Sequence, residues 1–472
     1  MSVETTQPRH VFDLLINYFR DFRVLKETRI EYWGLQIINF LDCTIFFAML
    51  NIAAVYLSKD FGFSDQAAGW ILTVFTSGTT ICLFFAGLIT DWLGIRRSLY
   101  VSMLALWVLR LVAVVCGLNP DIPHRGWIVA ASFALSAPFM AMVQTTFQAA
   151  NKRFTTARSR SAGFNLWYLF MNVGAAAGGF LIDIIRLWLE LPNAHIFTYG
   201  VLSAALCLIV TALTIRREDQ LYGPDEQPPA AAAAPVRLSP WENTRLVLRE
   251  SVFWRFAALV TLLLGVRAVF AYMYLLMPKY WLRVIGEDAR MGTLQAVNPI
   301  LIIIGLIVLI PVLHRFNVYK MLVYGAMTSG LSLFALAIPS YGHQTYVYSL
   351  ICLTILSIGE LIWSPRLTEY TAAIAPAGQE GTYLGLSMVP WFLAKTGVSA
   401  LSGYLLAGFC PEQYAGAPLR EQLAAGAVPY WESPGAMWLI LAVPAIGGPI
   451  IALALRGWFT KGVRWDAKPA AH

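Results

Sequence analysis

A chain of 472 residues that is 58% hydrophobic and only 13% charged, with a mean hydropathy of +0.62, lies far from the roughly 25% charged content of soluble globular domains. Its net charge of +7 comes from basic residues in short loops between apolar segments, which is membrane topology and not a nucleic-acid surface. Apolar segments of about 18 to 25 residues fit helices crossing about 30 Å of hydrocarbon, whereas barrel strands would alternate over about 10 residues.

In chain order, residues 9 to 30 place Val11, Leu14, Leu15, Phe19, Phe22 and Leu25 at helical spacing among Arg9, Arg20, Arg23 and Lys26. That is the pattern of an amphipathic helix lying on the cytoplasmic surface. The charged start carries no small-residue cleavage pattern, so no cleavable signal peptide is expected and the first span inserts by itself. Twelve spans follow, at residues 33 to 57, 68 to 90, 97 to 117, 127 to 149, 162 to 186, 198 to 215, 254 to 282, 293 to 313, 319 to 339, 346 to 372, 382 to 408 and 435 to 457. Between the sixth and seventh, the Pro/Ala-rich stretch GPDEQPPAAAAAPVRLSP reads as a linker, and SPWENTRLVLRES begins a short surface helix.

The expected fold class is therefore an all-α membrane protein, with twelve transmembrane helices in two six-helix pseudo-symmetric bundles around a central cavity. Residues 1–30 form an amphipathic N-terminal segment, 31–215 one bundle, 216–252 the linker with its surface helix, 253–457 the second bundle and 458–472 a tail. With the amino terminus inside, cytoplasmic segments collect about 22 Lys and Arg against about 7 outside, so both termini and the linker are expected in the cytoplasm of a cell with this protein in its inner membrane. Five of the six cysteines fall inside spans and only Cys410 lies near a loop, which implies neither a disulfide framework nor a metal site.

An unpaired charge at bilayer depth costs about 3 kcal/mol on insertion scales, so ionisable groups inside spans are functional candidates. Glu360 stands near the middle of the tenth span; Asp42, Arg110, Arg267 and Lys395 stand well inside their own. Three cations against two carboxylates make a shared cavity net positive, which favours an anionic or carboxylate-bearing substrate. The alternative is that some of them snorkel or close a static ion pair, Arg110 and Asp42 above all. Asn39, Tyr272, Tyr274, Asn298, Trp363 and Trp391 lie at similar depth, and such amide and aromatic side chains suit recognition of a small polar molecule.

Between the second and third spans stands Gly87-Leu-Ile-Thr-Asp91-Trp-Leu-Gly94-Ile-Arg96-Arg97. Gly87 permits close helix approach, Gly94 allows a tight turn, and Asp91 can meet a basic group or a helix end. The segment resembles the G-x-x-x-D-x-x-G-R-R/K loop of the major facilitator superfamily, and the resemblance implies a latch on the cytoplasmic gate. Gly359-Glu360-Leu-Ile-Trp-Ser364-Pro365 with Ala375-Pro376 is similar to the tenth-span segment of the proton-dependent oligopeptide transporters. Phe164-Asn-Leu-Trp-Tyr168-Leu-Phe-Met-Asn172-Val-Gly174 and Arg29-Ile-Glu-Tyr32-Trp33-Gly34 are similar to two more of their patches. That resemblance, a distant one, places Glu360 on the family's cavity carboxylate. The family's first-span glutamates fall on Leu25 and Thr28, the fourth span has Gln144 and Gln148 in place of a lysine, and Arg267 stands in the helix where the family has a carboxylate.

The expected function is secondary active symport of a small anionic or zwitterionic solute, such as a peptide or carboxylate. It proceeds by alternating access, with Glu360, then Asp42, as proton carriers and the proton gradient in place of any cofactor. The partners expected are substrate, protons and the lipid bilayer, with the chain a monomer and nucleic acid no partner. The rivals are a proton-antiporting exporter of drugs or metabolites, for which acidic residues should dominate the cavity, and a sugar or nucleoside carrier. An enzyme or an ATP-driven pump is not expected, for no phosphate-binding loop, metal cluster or nucleophile-base pair occurs.

Overall fold

A bilayer offers backbone N–H and C=O groups no water, so each apolar run must close its hydrogen bonds within itself as a helix. The computed structural model describes residue 20 and residues 22–156, 158–222, 245, 249–308, 316–374 and 380–460, the side chains of 84, 252 and 368–392 excepted. Most of the amphipathic segment, most of the linker, the tail beyond 460 and the Trp391 side chain lie outside this description.

The amino-terminal half comprises α1 (Ile30–Lys59), α2 (Asp65–Leu93), α3 (Ile95–Leu118), α4 (Arg125–Arg153), α5 (Arg160–Asp183) and α6 (Ala194–Thr214). The other half holds α7 (Ser251–Leu262), α8 (Leu264–Leu275), α9 (Met277–Val284), α10 (Met291–Val308), α11 (Val318–Leu331), α12 (Leu333–Ala337), α13 (His343–Ile374) and α14 (Glu380–Phe409). It closes with α15 (Leu419–Ala424), α16 (Pro434–Ala454) and α17 (Arg456–Phe459). Among the described residues nine helices are long and apolar enough to cross a membrane, or up to eleven if each of two bent pairs is one span. The remaining expected span, 382 to 408, falls on α14, whose first part has no described side chains.

The expected seventh span is not one straight helix. It breaks at Leu263, where the axis bends by 43°, and again at Leu276, just before Pro278 in the first turn of α9. Proline has no N–H to bond back into the preceding turn, so an unbroken helix through it is disfavoured.

Glycine sets how closely the helices approach. A Cβ at Gly174 would lie 2.9 Å from the Phe40 carbonyl oxygen, and one at Gly178 would strike that of Thr44, so α5 rests directly on α1. One residue further, Gly179 meets Gly292 and Ala296 of α10, joining the two halves backbone to backbone.

Candidate functional site

A cavity of about 430 Å3 lies between the halves. On α8 its lining residues Arg267, Phe270, Ala271 and Tyr274 recur at spacings of three and four, and Glu360, Trp363 and Ser364 on α13 and Lys395 and Ser399 on α14 repeat the pattern. Such spacing marks one face of a helix. Across from them stand Phe46, Phe47 and Leu50 of α1, Phe75, Thr76, Thr79, Thr80 and Leu83 of α2, Gln144 of α4, and Tyr168 and Met171 of α5.

The charged wall is held by neighbours. Asn298 of α10 donates its amide both to Glu360 Oε2 and to Ser357 Oγ, each at 3.0 Å, so one carboxylate oxygen of Glu360 has a fixed donor. Trp363 donates its indole N–H to Ser329 Oγ at 3.2 Å, and the Arg267 guanidinium sits 5.4 Å from the centre of that indole. The ring thereby places the cation through its negatively polarised face. Phe47 and Tyr274 meet across the halves with ring centres 5.9 Å apart.

Several of the residues expected in this cavity are elsewhere. Arg110 donates to Asp42 Oδ1 at 2.8 Å, with side-chain exposures of 4% and 5%, and also to the Gly200 carbonyl at 3.4 Å. The pair is enclosed by α1, α3 and α6 of one half, because a charge that finds its partner inside a bundle is satisfied there and has no drive toward a cavity. Asn39 is fully buried and donates to the Trp167 carbonyl at 3.0 Å. Tyr272 is buried in the hydrophobic core that runs through both halves; two residues from Tyr274 on the same helix, it points some 200° away around the axis. The charges described in the lining therefore fall from three against two to two against one, Arg267 and Lys395 against Glu360. The excess of one positive charge survives.

At the end where α1 stops and α2 starts, the halves are tied together. Asp65 accepts from Lys279 at 2.7 Å and from Arg283 at 2.9 Å, Lys59 pairs with Glu287, and Arg186 donates to the Glu287 carbonyl at 3.3 Å. Beside them Asp183 of α5 accepts from the backbone N–H of Gly292 at 2.9 Å, from that of Thr293 at 2.6 Å and from the Thr293 hydroxyl at 2.7 Å. It thus caps the first turn of α10 from the opposite half, satisfying donors that a helix start leaves open. Lys279 and Asp183 each lie three residues from the end of an expected span, too shallow for the depth rule that singles out Arg267 to find them.

Asp183→Ala is expected to favour opening at this end. Each hydrogen bond to a charged group is worth about 1.5–3 kcal/mol and about 1.4 kcal/mol is tenfold, so losing three should shift a two-state equilibrium by about a thousandfold or more. Spin labels on the exposed residues Asp121 and Asp288 would read this as a longer distance population. An unchanged distribution would mean that the contact is no latch.

The Major Facilitator Superfamily model matches residues 33–398. This chain belongs to the major facilitator superfamily. It is a multi-pass membrane transporter and not an enzyme. Among curated relatives, "Uncharacterized MFS-type transporter YqjV" of Bacillus subtilis (strain 168) is 23% identical over 336 residues, covering 70% of this chain and 76% of the relative. "Multidrug resistance protein MdtH" of Cronobacter sakazakii (strain ATCC BAA-894) is 24% identical over 358 residues, covering 75% and 81%. The crystal structure of a peptide transporter POT in complex with sulfate matches with a TM-score of 0.69 at 16% identity, covering 91% of this chain and 94% of that one. At that identity the likeness concerns the fold.

The superfamily's loop motif lies at the far end of α2. Gly94 takes φ +82° between α2 and α3, a backbone conformation that side chains disfavour. Asp91 lies 3.7 Å from Arg153 of α4, and Arg96 lies 5.8 Å from the Tyr100 ring centre. The Arg97 side chain is exposed there. A Cβ at Gly87 would meet nothing within 4 Å, so in this conformation the glycine is not at a close helix crossing.

The element that sequence reasoning missed here is the stretch of chain after α6. Glu218 accepts from the Ile95 N–H at 2.7 Å, capping α3 where Gly94 has no side chain to do so, and Glu31 accepts from the Arg217 N–H at 3.1 Å. Asp219 pairs with Arg29 at 2.9 Å, and this hydrogen bond holds its carboxyl below the usual carboxylate range.

Proposed function

We propose that this transporter is a proton-coupled symporter of a small anionic or zwitterionic solute, working by alternating access as a monomer with no cofactor beyond the proton gradient. The observation that carries the reading is Glu360 in the wall of the inter-half cavity, beside Arg267 and Lys395 and hydrogen-bonded by Asn298. A carboxylate so placed can take a proton from water when the cavity is open and exchange it for a cationic partner or substrate when it is closed. The moving units are residues 31–215 and 253–457, joined by the linker at 216–252. Both termini lie on the cytoplasmic side of the inner membrane, with the Asp65 and Asp183 contacts closing the outer end.

The oligopeptide-transporter structures support the fold on which this rests, and the excess positive charge supports an acidic ligand. The multidrug resistance relative favours a second reading, proton-antiporting export, with the aromatic wall as a lipophilic binding surface. Uptake into proteoliposomes under imposed pH gradients separates the two. A symporter concentrates substrate in the direction in which protons flow, an antiporter in the opposite one, and indifference to the gradient would sink both.

A further inference from the structure

We propose that the substrate is an organic monoanion with an aromatic or similarly apolar body, its charged head on the second half and its body on the first. This rests on the cavity assigned above as the transport site. Among the described lining residues every full charge, Arg267, Glu360 and Lys395, belongs to the second half, and the first half's wall has no Asp, Glu, Lys, Arg or His.

The first half's wall is less polar than its composition implies. The hydroxyls of Thr76, Thr79 and Thr80 donate to the carbonyls of Leu72, Phe75 and Thr76 at 2.8, 2.8 and 2.9 Å. Each hydroxyl has one proton to donate, so a donor spent on its own helix is unavailable to a ligand. What remains toward the ligand is the rings of Phe46, Phe47 and Phe75, the Tyr168 ring with its hydroxyl, and the Gln144 amide, a wall with polar groups but no charge.

A zwitterionic peptide lying across this cavity would set its ammonium against that wall, whose described residues offer neutral acceptors but no carboxylate, and a buried charge without a counter-charge costs several kcal/mol. A monoanion avoids the cost. Its head meets Arg267 and Lys395 on the opposite wall, and a proton on Glu360 removes the negative charge that competes with the anion there, so proton and anion load together. Its body stacks on phenylalanine rings, in a volume of about 430 Å3 that lies within the usual range for drug-sized ligands.

Four indoles that differ mainly in charge test this on the purified full chain by thermal shift: indole-3-acetate, neutral indole-3-acetamide, cationic tryptamine and zwitterionic Gly-Trp. The acetate is expected to bind about tenfold more tightly than each of the others. Lys395→Gln should weaken the acetate about tenfold and leave the amide unchanged. Gln144→Glu, which puts a carboxylate on the first half's wall to meet the ammonium, should bring Gly-Trp up to the acetate.

Gly-Trp or tryptamine binding as tightly as the acetate to the unaltered protein overturns the proposal, and so does a panel in which the acetate gives no shift. Failure of the coupling reading looks different. Gly-Trp concentrated by a pH gradient would uphold proton symport and sink the monoanion, whereas acetate bound but never concentrated would leave the monoanion standing without the coupling.

Discussion

In proteoliposomes with an imposed pH gradient, the Glu360→Gln protein is expected to equilibrate its substrate across the membrane but never to concentrate it. For one proton carried per substrate, a gradient of one pH unit supplies about 1.4 kcal/mol and so sustains about tenfold accumulation; with glutamine the ratio should fall to about one. The reason lies in the site. Glutamine keeps the length and shape of glutamate, and its amide oxygen can still accept from Asn298, whose amide is 3.0 Å from Glu360 Oε2 in the native protein. What is lost is the ability to exist in a charged and a neutral form, without which reorientation cannot depend on protons. Exchange of labelled for unlabelled substrate should persist, since the neutral form permits the same movement. Full accumulation by the Glu360→Gln protein would place the proton site elsewhere.

The second large effect concerns Asp42, and it is one of stability. Asp42→Asn should lower the unfolding temperature of the detergent-purified protein by several degrees while proton-driven uptake continues in whatever protein remains folded. Arg110 would be left with 4% of its side chain exposed and no carboxylate, and breaking a buried ion pair from one side costs about 3–5 kcal/mol. Replacing both partners at once, Asp42→Leu with Arg110→Met, should recover much of that loss, because two apolar groups in the same space leave no charge stranded. The opposite outcome, normal stability with uptake abolished, would return Asp42 to the role of proton carrier.

These two carboxylates show why one kind of sequence signal leads to two expectations. Both stand well inside an apolar span, and depth along a helix follows from position in the chain alone. The direction in which a side chain leaves the helix axis acquires meaning only once neighbours are packed around it. Asp42 meets Arg110, 68 residues away, inside one bundle, while Glu360 faces the other half across a cavity. Tyr272 and Tyr274 make the same point on a single helix.

What the sequence determined by itself was set by the bilayer and by local backbone chemistry: the helical spans, the turn at Gly94, and the depth of Arg267, Glu360 and Lys395 within their spans. The tertiary structure alone decided the contacts between distant segments. The Glu218 carboxylate reaches the start of α3 across 123 residues, and Asp183 reaches the start of α10 across 109. A helix start has open N–H groups whatever the sequence around it, but which acceptor arrives to satisfy them depends on where packing brings the rest of the chain.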